Sequence, residues 1–185
     1  MSRRRPRRPH GSRGFSLVEL LVASAIGAIL LAGAWPWCWS LVRSSSRAAT
    51  EAEAETALCF AGRLFQSEMR RASGLAPATA ATQTANSVTV VLPPSAAGPA
   101  ESVTYRYDPV REVLWRNAPG SYVVDRLASC RFTFYAADGA ELPLGVGGTL
   151  PPESVPLVRL VCLTAARRAG DTVIERRWSV SLRVD

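Results

Sequence analysis

The chain has 185 residues, a length that fits one domain better than two. Its formal net charge of +7 comes mostly from six arginines in residues 1–14. The rest of the chain carries only +1 (7 − 6), which argues against nucleic-acid binding through a basic patch. The single histidine, His10, also lies in this leader, so residues 15–185 contain none for general-base catalysis, a catalytic triad or zinc ligation. We therefore expect a protein that is not an enzyme and binds neither a metal nor another cofactor.

A basic leader, residues 1–14, precedes an apolar segment, residues 15–42, that is rich in Leu, Ala, Ile and Val. The stretch Leu20–Trp39 has the length of about 20 residues that spans ~30 Å of hydrocarbon. The positive-inside rule places the leader in the cytoplasm and the chain after Arg43 outside. Amphipathic rings favour the membrane interface, and three of them cluster at the far end of the apolar segment: Trp35, Trp37 and Trp39.

One acid, Glu19, interrupts the apolar segment. A carboxylate at the centre of a membrane helix costs about 2.5–3.5 kcal/mol on insertion scales, so a functional role with a specific partner is the first hypothesis. The alternative is an incidental acid near the membrane face, whose side chain reaches water.

Helical composition continues through residues 43–73. Pro36 lies before this part, and we expect a kink or a locally melted turn there rather than the end of the helix, because membrane helices tolerate proline. An apolar stripe then predicts a helix that packs one face on a domain. The stripe recurs at three- and four-residue steps: Leu58, Ala61, Phe65, Met69 and Ala72. The pair Ser73-Gly74, followed by Pro77, ends the helix.

Residues 74–185 consist of short runs of β-forming residues between turn signals, which predicts an antiparallel β-rich globular domain. The expected strands are Ser87–Leu92, Ser102–Tyr107, Val113–Arg116, Tyr122–Val124, Arg131–Tyr135, Leu157–Ala165 and Val173–Val184. Residues 143–156, with four prolines and three glycines, are expected to form a long loop. The predicted fold class is α+β, with a long N-terminal membrane-spanning helix packed on a mostly antiparallel β-sheet domain.

The chain has four cysteines, and only one pair of them is a candidate for a disulfide within the chain. Cys38 and Cys59 are 21 residues apart, or about 32 Å along one predicted helix, and cannot bond within the chain. Cys130 and Cys162 lie in or beside predicted strands, in a compartment expected to be oxidising. Either a disulfide between these two or a pair of buried free thiols is consistent with the sequence.

The stretch from Gly14 to Ala23 combines several features in one place. A basic leader ends in glycine, phenylalanine follows, an acid comes four residues later, and the helix carries no second charge. This stretch resembles the class III prepilin signal of type IV pilins and type II secretion pseudopilins. The strand pattern of the later part resembles, more loosely, the J-type pseudopilins and PilW-like minor pilins.

By this resemblance, a prepilin peptidase cleaves between Gly14 and Phe15, and the new Phe15 amine is N-methylated. Glu19 matches the family's buried acid, which pairs with a neighbouring subunit's terminal amine during assembly. The implied protein is a minor pilin or pseudopilin, at or near the tip of a type II secretion pseudopilus or type IV pilus-like filament. It would be a single-pass inner-membrane protein with a periplasmic or extracellular globular domain. The implied partners are the prepilin peptidase/methyltransferase, other pilins or pseudopilins, the inner-membrane assembly platform and membrane lipid.

Elementary electrostatics supports the pairing of Glu19 with the freed Phe15 amine. An α-amine has a reference pKa of about 8 and is therefore a cation at neutral pH. Glu19 lies four residues further, near the helix N-terminus where the dipole favours an acid. The two charges can pair within one chain or between neighbours, and their attraction in a poorly screened medium offsets the insertion cost.

Two other interpretations remain open. The chain could be a single-pass anchored extracytoplasmic domain that binds a ligand and never polymerises. The triplet Ala32-Gly33-Ala34 also fits the small-residue rule of ordinary signal peptidase, which would release a soluble domain starting at Trp35. Glu19 and the long helix behind it argue against this second interpretation.

Overall fold

The computed structural model describes residues 16–77, 82–94, 99–117 and 121–182. The chain divides into two compact units, Met1–Ser46 and Arg47–Asp185. The α-helix found among the described residues, α1 (Leu17–Arg71), contributes to both units. Every residue of α1 is helical, Pro36 included, which confirms that this proline does not end the helix, and no melted turn occurs there.

The helix of the first unit has an exposed apolar surface. Residues 16–46 are all exposed except Gly27, which is half-buried. Serine hydroxyls along this helix donate to backbone carbonyl oxygens three residues earlier at 2.8–2.9 Å, which satisfies them without water. The leucine, isoleucine and tryptophan side chains in the described part of this unit are thus exposed, and an apolar surface of this size is typical of a segment that contacts lipid or another protein.

In the second unit, α1 presents one buried face. The predicted stripe is confirmed, since all five of its members are buried, and the buried face begins one turn earlier at Ala54. Phe65 lies at its centre. The Phe65 ring is edge-on to Tyr105, with centroids 5.6 Å apart, and its centroid is 6.0 Å from that of Phe132.

Two antiparallel sheets pack with this helix in the second unit. The five-stranded sheet follows chain order: β1 (Gly74–Leu75), β2 (Ser87–Leu92), β3 (Glu101–Asp108), β4 (Val113–Arg116) and β5 (Tyr122–Val124). The three-stranded sheet has the order β6 (Leu127–Tyr135), β7 (Leu160–Ala169) and β8 (Thr172–Ser181), and a 3₁₀ helix, Pro152–Leu157, precedes β7. A long apolar N-terminal helix with antiparallel sheets confirms the predicted α+β class.

Three strands, β2, β4 and β5, have the predicted bounds. β3 is one residue longer at each end, β8 begins one residue earlier and ends at Ser181, and β6 and β7 differ most. β6 begins at Leu127, because Arg126 adopts a positive φ of 55° and turns the chain directly into pairing with β7. β7 begins at Leu160 rather than at the predicted Leu157. The preceding residues form the 3₁₀ helix, and Pro156 has no N–H to donate to a strand ladder.

Acids on α1 connect the helix to the three-stranded sheet. The Glu55 carboxylate accepts hydrogen bonds from Arg176 Nη2 at 2.6 and 2.7 Å. Glu53 Oε1 lies 3.4 Å from Nη2 of Arg167, a buried guanidinium that also donates to Asp125 Oδ1 at 2.9 Å. These directional contacts add geometric specificity to the non-directional packing of the stripe.

A third acid, Glu68, is buried on the core-facing side of α1. Tyr105 donates its hydroxyl to Glu68 Oε2 at 2.5 Å, and Arg116 donates to Oε1 from Nε at 2.9 Å. Burial, together with the Glu68 carboxylate, raises the pKa of Tyr105 far above its ordinary value. The hydrogen bond to Glu68 raises the pKa of Arg116. The Glu68 carboxyl group is thus held between the Tyr105 phenol on β3 and the Arg116 guanidinium on β4.

Replacing Glu68 tests this arrangement. We expect Glu68→Ala to lower the free energy of unfolding by about 2–4 kcal/mol, because it leaves the buried Tyr105 hydroxyl and Arg116 without their partner. Glu55→Ala removes an exposed partner of Arg176 and should cost no more than about 1 kcal/mol. Urea unfolding of both variants in the full-length chain gives the comparison, and equal losses would contradict the assigned importance of Glu68.

Gly62 marks the closest approach between α1 and the three-stranded sheet. A Cβ atom built at this position would lie 2.1 Å from Cε2 of Trp178 on β8. No real side chain tolerates such a distance, so only glycine lets the indole lie against the helix backbone at this point.

The substitution Gly62→Ala therefore reverses the usual effect of adding alanine to a helix. Glycine-to-alanine changes in helices commonly stabilise by about 0.4–1 kcal/mol. At Gly62 we expect a destabilisation of about 1–3 kcal/mol, because the indole of Trp178 must shift. Gly33→Ala is the matched control, since a Cβ there meets no atom within 4 Å. The measurement is the thermal midpoint of each variant; an unchanged or higher midpoint for Gly62→Ala would refute the close packing.

Candidate functional site

Glu19 lies in the first turn of α1 with its side chain exposed. The first backbone hydrogen bond of the helix runs from Leu20 N to Ser16 O at 3.1 Å, so Glu19 is close to the positive end of the helix dipole. No hydrogen bond or ion pair joins its carboxylate to a described residue. Gly14 and Phe15, the predicted cleavage and methylation positions, lie outside the described residues.

Apolar side chains surround Glu19 along the helix. Leu17, Val18 and Leu20 are between 63% and 75% exposed, and the residues that follow are similarly uncovered. By length and composition, α1 can cross a membrane. The most apolar part of this helix is not buried within the protein. A single carboxylate in such a surface needs a positive partner if lipid or another apolar helix covers it.

The described part of the globular unit contains no group of three or more His, Cys, Asp or Glu side chains arranged to hold a metal ion. Two of its aspartates take part in turns instead. Asp108 Oδ1, for example, accepts hydrogen bonds from the backbone N–H groups of Val110 and Arg111 at 2.9 and 3.1 Å. Asp138 does the same for Ala140 N at 2.9 Å. These are the contacts expected of turn aspartates.

The disulfide hypothesised between Cys130 and Cys162 is absent, because both residues are buried free thiols. Cys162 lies opposite Thr133 in the β6–β7 pairing, and Thr133 is three residues beyond Cys130 on β6. Side chains alternate along a strand, so the two sulfurs lie on opposite faces of the sheet. Burial raises the pKa of Cys130 to about 12. The Cys162 sulfur instead accepts a hydrogen bond from Arg177 Nε at 2.8 Å.

These two cysteines are the functional candidates that the sequence pattern of the globular unit suggests. The structure adds a cross-strand row on the five-stranded sheet, formed by Ser87, Arg106, Trp115 and Tyr122. A tryptophan and a tyrosine in neighbouring predicted strands are a sequence signal for an aromatic surface site, and the structure leaves Trp115 half-buried and Tyr122 exposed. Their alignment with the arginine depends on strand register, which the sequence does not reveal.

Comparison with known families gives one match in the N-terminal segment. The family model described as the prokaryotic N-terminal methylation motif matches residues 9–35, which include Gly14, Phe15 and Glu19. This confirms the resemblance to the class III signal of type IV pilins, and the match supports a type IV pilin-like protein. The motif implies processing by a prepilin peptidase and assembly with other pilins. A search of curated proteins found no match to this chain.

The state of Cys130 can be tested through the dependence of stability on pH. Its pKa is about 12 when folded against an ordinary 9.0, so between these values the unfolded thiol loses a proton that the folded thiol keeps. Stability is therefore unaffected below pH 9 and falls as the pH rises, by up to about 1.4 kcal/mol per pH unit from this group. Cys130→Ala should decline less steeply in urea unfolding between pH 9 and 11.

Tyr105 and Tyr107 have their pKa values raised in the same direction, but both are present in both proteins. The difference in slope therefore reports Cys130 together with its smaller effect on the pKa of Tyr107. Equal slopes for the two proteins would contradict the assignment. Peptide mapping without reductant provides a second check, and recovery of a peptide linked through Cys130 and Cys162 would contradict the strand register.

Proposed function

We propose that this chain is a minor pilin or pseudopilin, a non-enzymatic subunit that assembles through its N-terminal helix into a type II secretion pseudopilus or type IV pilus-like filament. The observation that carries the proposal is an exposed apolar helix with a single acid in its first turn, within the segment that matches the methylation motif. Membrane lipid covers this surface before assembly, and neighbouring helices cover it afterwards.

The proposed maturation follows from the residues around the motif. A prepilin peptidase removes residues 1–14 by cleaving between Gly14 and Phe15, and a methyltransferase, the same enzyme in this family, methylates the Phe15 amine. Cleavage takes away six positive charges and creates one new cation four residues before Glu19. This amine, from the same chain or a neighbour, offsets the cost of the acid in an apolar environment.

The proposed topology has residues 15–42 as the transmembrane and assembly helix and residues 43–73 as its extramembrane continuation. Residues 74–185 form the β-rich globular domain in the periplasm or outside the cell. The arginine-rich leader and the exposed tryptophans near the far end of the apolar segment support this orientation. An N-terminal apolar helix with a pilin signal suggests anchoring in the inner membrane.

The proposed partners are the prepilin peptidase/methyltransferase, other pilins or pseudopilins of the same filament and the inner-membrane assembly platform. A position at or near the tip is supported by the large sheet domain, which resembles common major pilins only weakly. The alternative is a single-pass anchored binding domain that never polymerises. Both functions use the same membrane helix, but only the filament requires Glu19.

Glu19→Ala separates these two functions. We expect the variant to insert in the membrane and to be cleaved as the native protein is, and its incorporation into filaments to fall at least about tenfold because the amine lacks its partner. Sheared or cross-linked filaments from cells that make the assembly machinery are quantified by immunoblot against the membrane fraction. Glu153→Ala, which removes an exposed acid of the globular unit, is the control.

Normal incorporation of Glu19→Ala would overturn the filament proposal and favour the anchored domain. Intact-mass measurement of the mature native protein tests the processing step separately. The expected mass lacks residues 1–14 and includes a methyl group, whereas a mature chain starting at Trp35 would identify ordinary signal peptidase.

A further inference from the structure

A row of four side chains crosses the five-stranded sheet on the face that points away from α1. Ser87 lies opposite Arg106, Arg106 opposite Trp115, and Trp115 opposite Tyr122 in the strand register. Paired residues of neighbouring strands share a face. The other face of β3 carries Tyr105, whose hydroxyl meets Glu68 of the helix, so the row lies on the face of the sheet that is turned away from the helix.

Two adjacent cavities lie along this row. One has a volume of about 380 Å³ and is lined by Asp108, Arg111 and Trp115; the other has a volume of about 360 Å³ and is lined by Ser87, Asn86 and the pair Gly147-Gly148. Arg106 lines both. The glycine pair has φ values of +90° and +72°, which favour glycine and let the chain close the end of the second cavity without side chains.

Two polar groups of the row, the Ser87 hydroxyl and the Arg106 guanidinium, lack a hydrogen-bond partner among the described residues. Ser87 is 4% exposed, yet its Oγ atom has no hydrogen-bond partner. An unsatisfied buried hydroxyl is unfavourable, so its presence beside a cavity points to a ligand that completes it. The Arg106 guanidinium makes no ion pair or hydrogen bond with any described residue. The Trp115 and Tyr122 rings meet edge-on with centroids 6.3 Å apart, and Tyr122 remains 63% exposed.

The two cavities, which meet at Arg106, form one cleft along the row. We propose that this cleft binds an acidic saccharide, a short oligosaccharide that contains hexuronic acid. The Arg106 guanidinium binds the carboxylate, because its planar fork matches two oxygens. The Ser87 hydroxyl and the Asn86 amide bind sugar hydroxyl groups in the second cavity. The rings of Trp115 and Tyr122 offer rigid aromatic surface, with a polar edge, to the apolar face of a pyranose.

The charges of the cleft argue against a nucleic acid as the ligand. The other cation that lines the cleft is Arg111. Its Nε atom lies 3.9 Å from Asp108 Oδ2, so its charge is compensated by that carboxylate. Arg106 is then the single uncompensated cation of the row, whereas a nucleic-acid strand is held by several cations along its backbone. One guanidinium beside neutral hydroxyl and amide groups matches a ligand with one carboxylate per sugar. The proposal goes beyond filament assembly and does not depend on it.

The test is calorimetric titration of the full-length chain in detergent micelles. The probes are trimers of galacturonate, glucuronate and mannuronate. We expect at least one to bind, and we expect its methyl ester, which lacks the negative charge, to bind at least about tenfold more weakly. Binding of none of the three, or equal binding of acid and ester, would overturn the proposal. So would tighter binding of an acidic peptide or a single-stranded oligonucleotide of equal charge.

Variants locate the binding site. Arg106→Gln should weaken binding at least about tenfold, whereas Arg131→Gln, which removes an exposed arginine of the three-stranded sheet, should leave affinity within about twofold. Ser87→Ala should weaken binding while the thermal midpoint stays equal or rises, because it removes an unsatisfied buried hydroxyl. Unchanged affinity in both Arg106→Gln and Ser87→Ala would overturn the assignment of the site. A failed filament assay with Glu19→Ala leaves these outcomes unaffected.

Discussion

The globular unit depends on one packed surface, the buried face of α1. No strand of the five-stranded sheet pairs with a strand of the three-stranded sheet among the described residues. The Phe65 ring contacts Tyr105 of one sheet and Phe132 of the other, so the helix supplies side chains to a core that both sheets share. Burying one such aromatic side chain contributes about 1.5–3 kcal/mol relative to leaving it exposed. The helix therefore covers part of the core-forming face of each sheet.

Apolar packing alone does not fix how a helix is rotated or shifted on two sheets, since the hydrophobic effect has no direction. The acids of α1 supply that direction. Glu68 meets β3 and β4 of one sheet, while Glu55 meets β8 of the other. Gly62 then admits the Trp178 ring at a position where the Cβ atom of any larger residue would collide with the indole. The apolar stripe therefore holds the helix on the sheets, the acids set its rotation and shift, and Gly62 sets its distance from the three-stranded sheet.

The sequence predicted the features that depend on local pattern. The stripe from Leu58 to Met69 follows helical spacing and was found except for its first turn at Ala54, and β2, a run of β-branched residues between turn signals, was found with its correct bounds. The start of β6 was missed because it depends on the positive φ of Arg126 and on pairing with β7. The opposite faces of Cys130 and Cys162 follow from strand register, which is a non-local property. The row from Ser87 to Tyr122 combines four strands, and no local pattern reveals it.

The acid in the first turn of α1 differs from the other acids of the helix in having no partner among the described residues. Glu53, Glu55 and Glu68 each pair with an arginine of a sheet, and Glu51 Oε1 accepts a hydrogen bond from the Thr172 hydroxyl at 3.5 Å. Among the described residues, Glu19 is the acid of α1 that has no such partner, although its apolar neighbours make an unpaired charge most unfavourable there. Three of the other four helix acids are thus paired with an arginine of their own chain, and the fourth has a neutral hydroxyl as its partner. An acid that folding leaves unbalanced, within a methylation motif, is the kind of group that assembly can use, because a neighbour's amine can supply the missing charge.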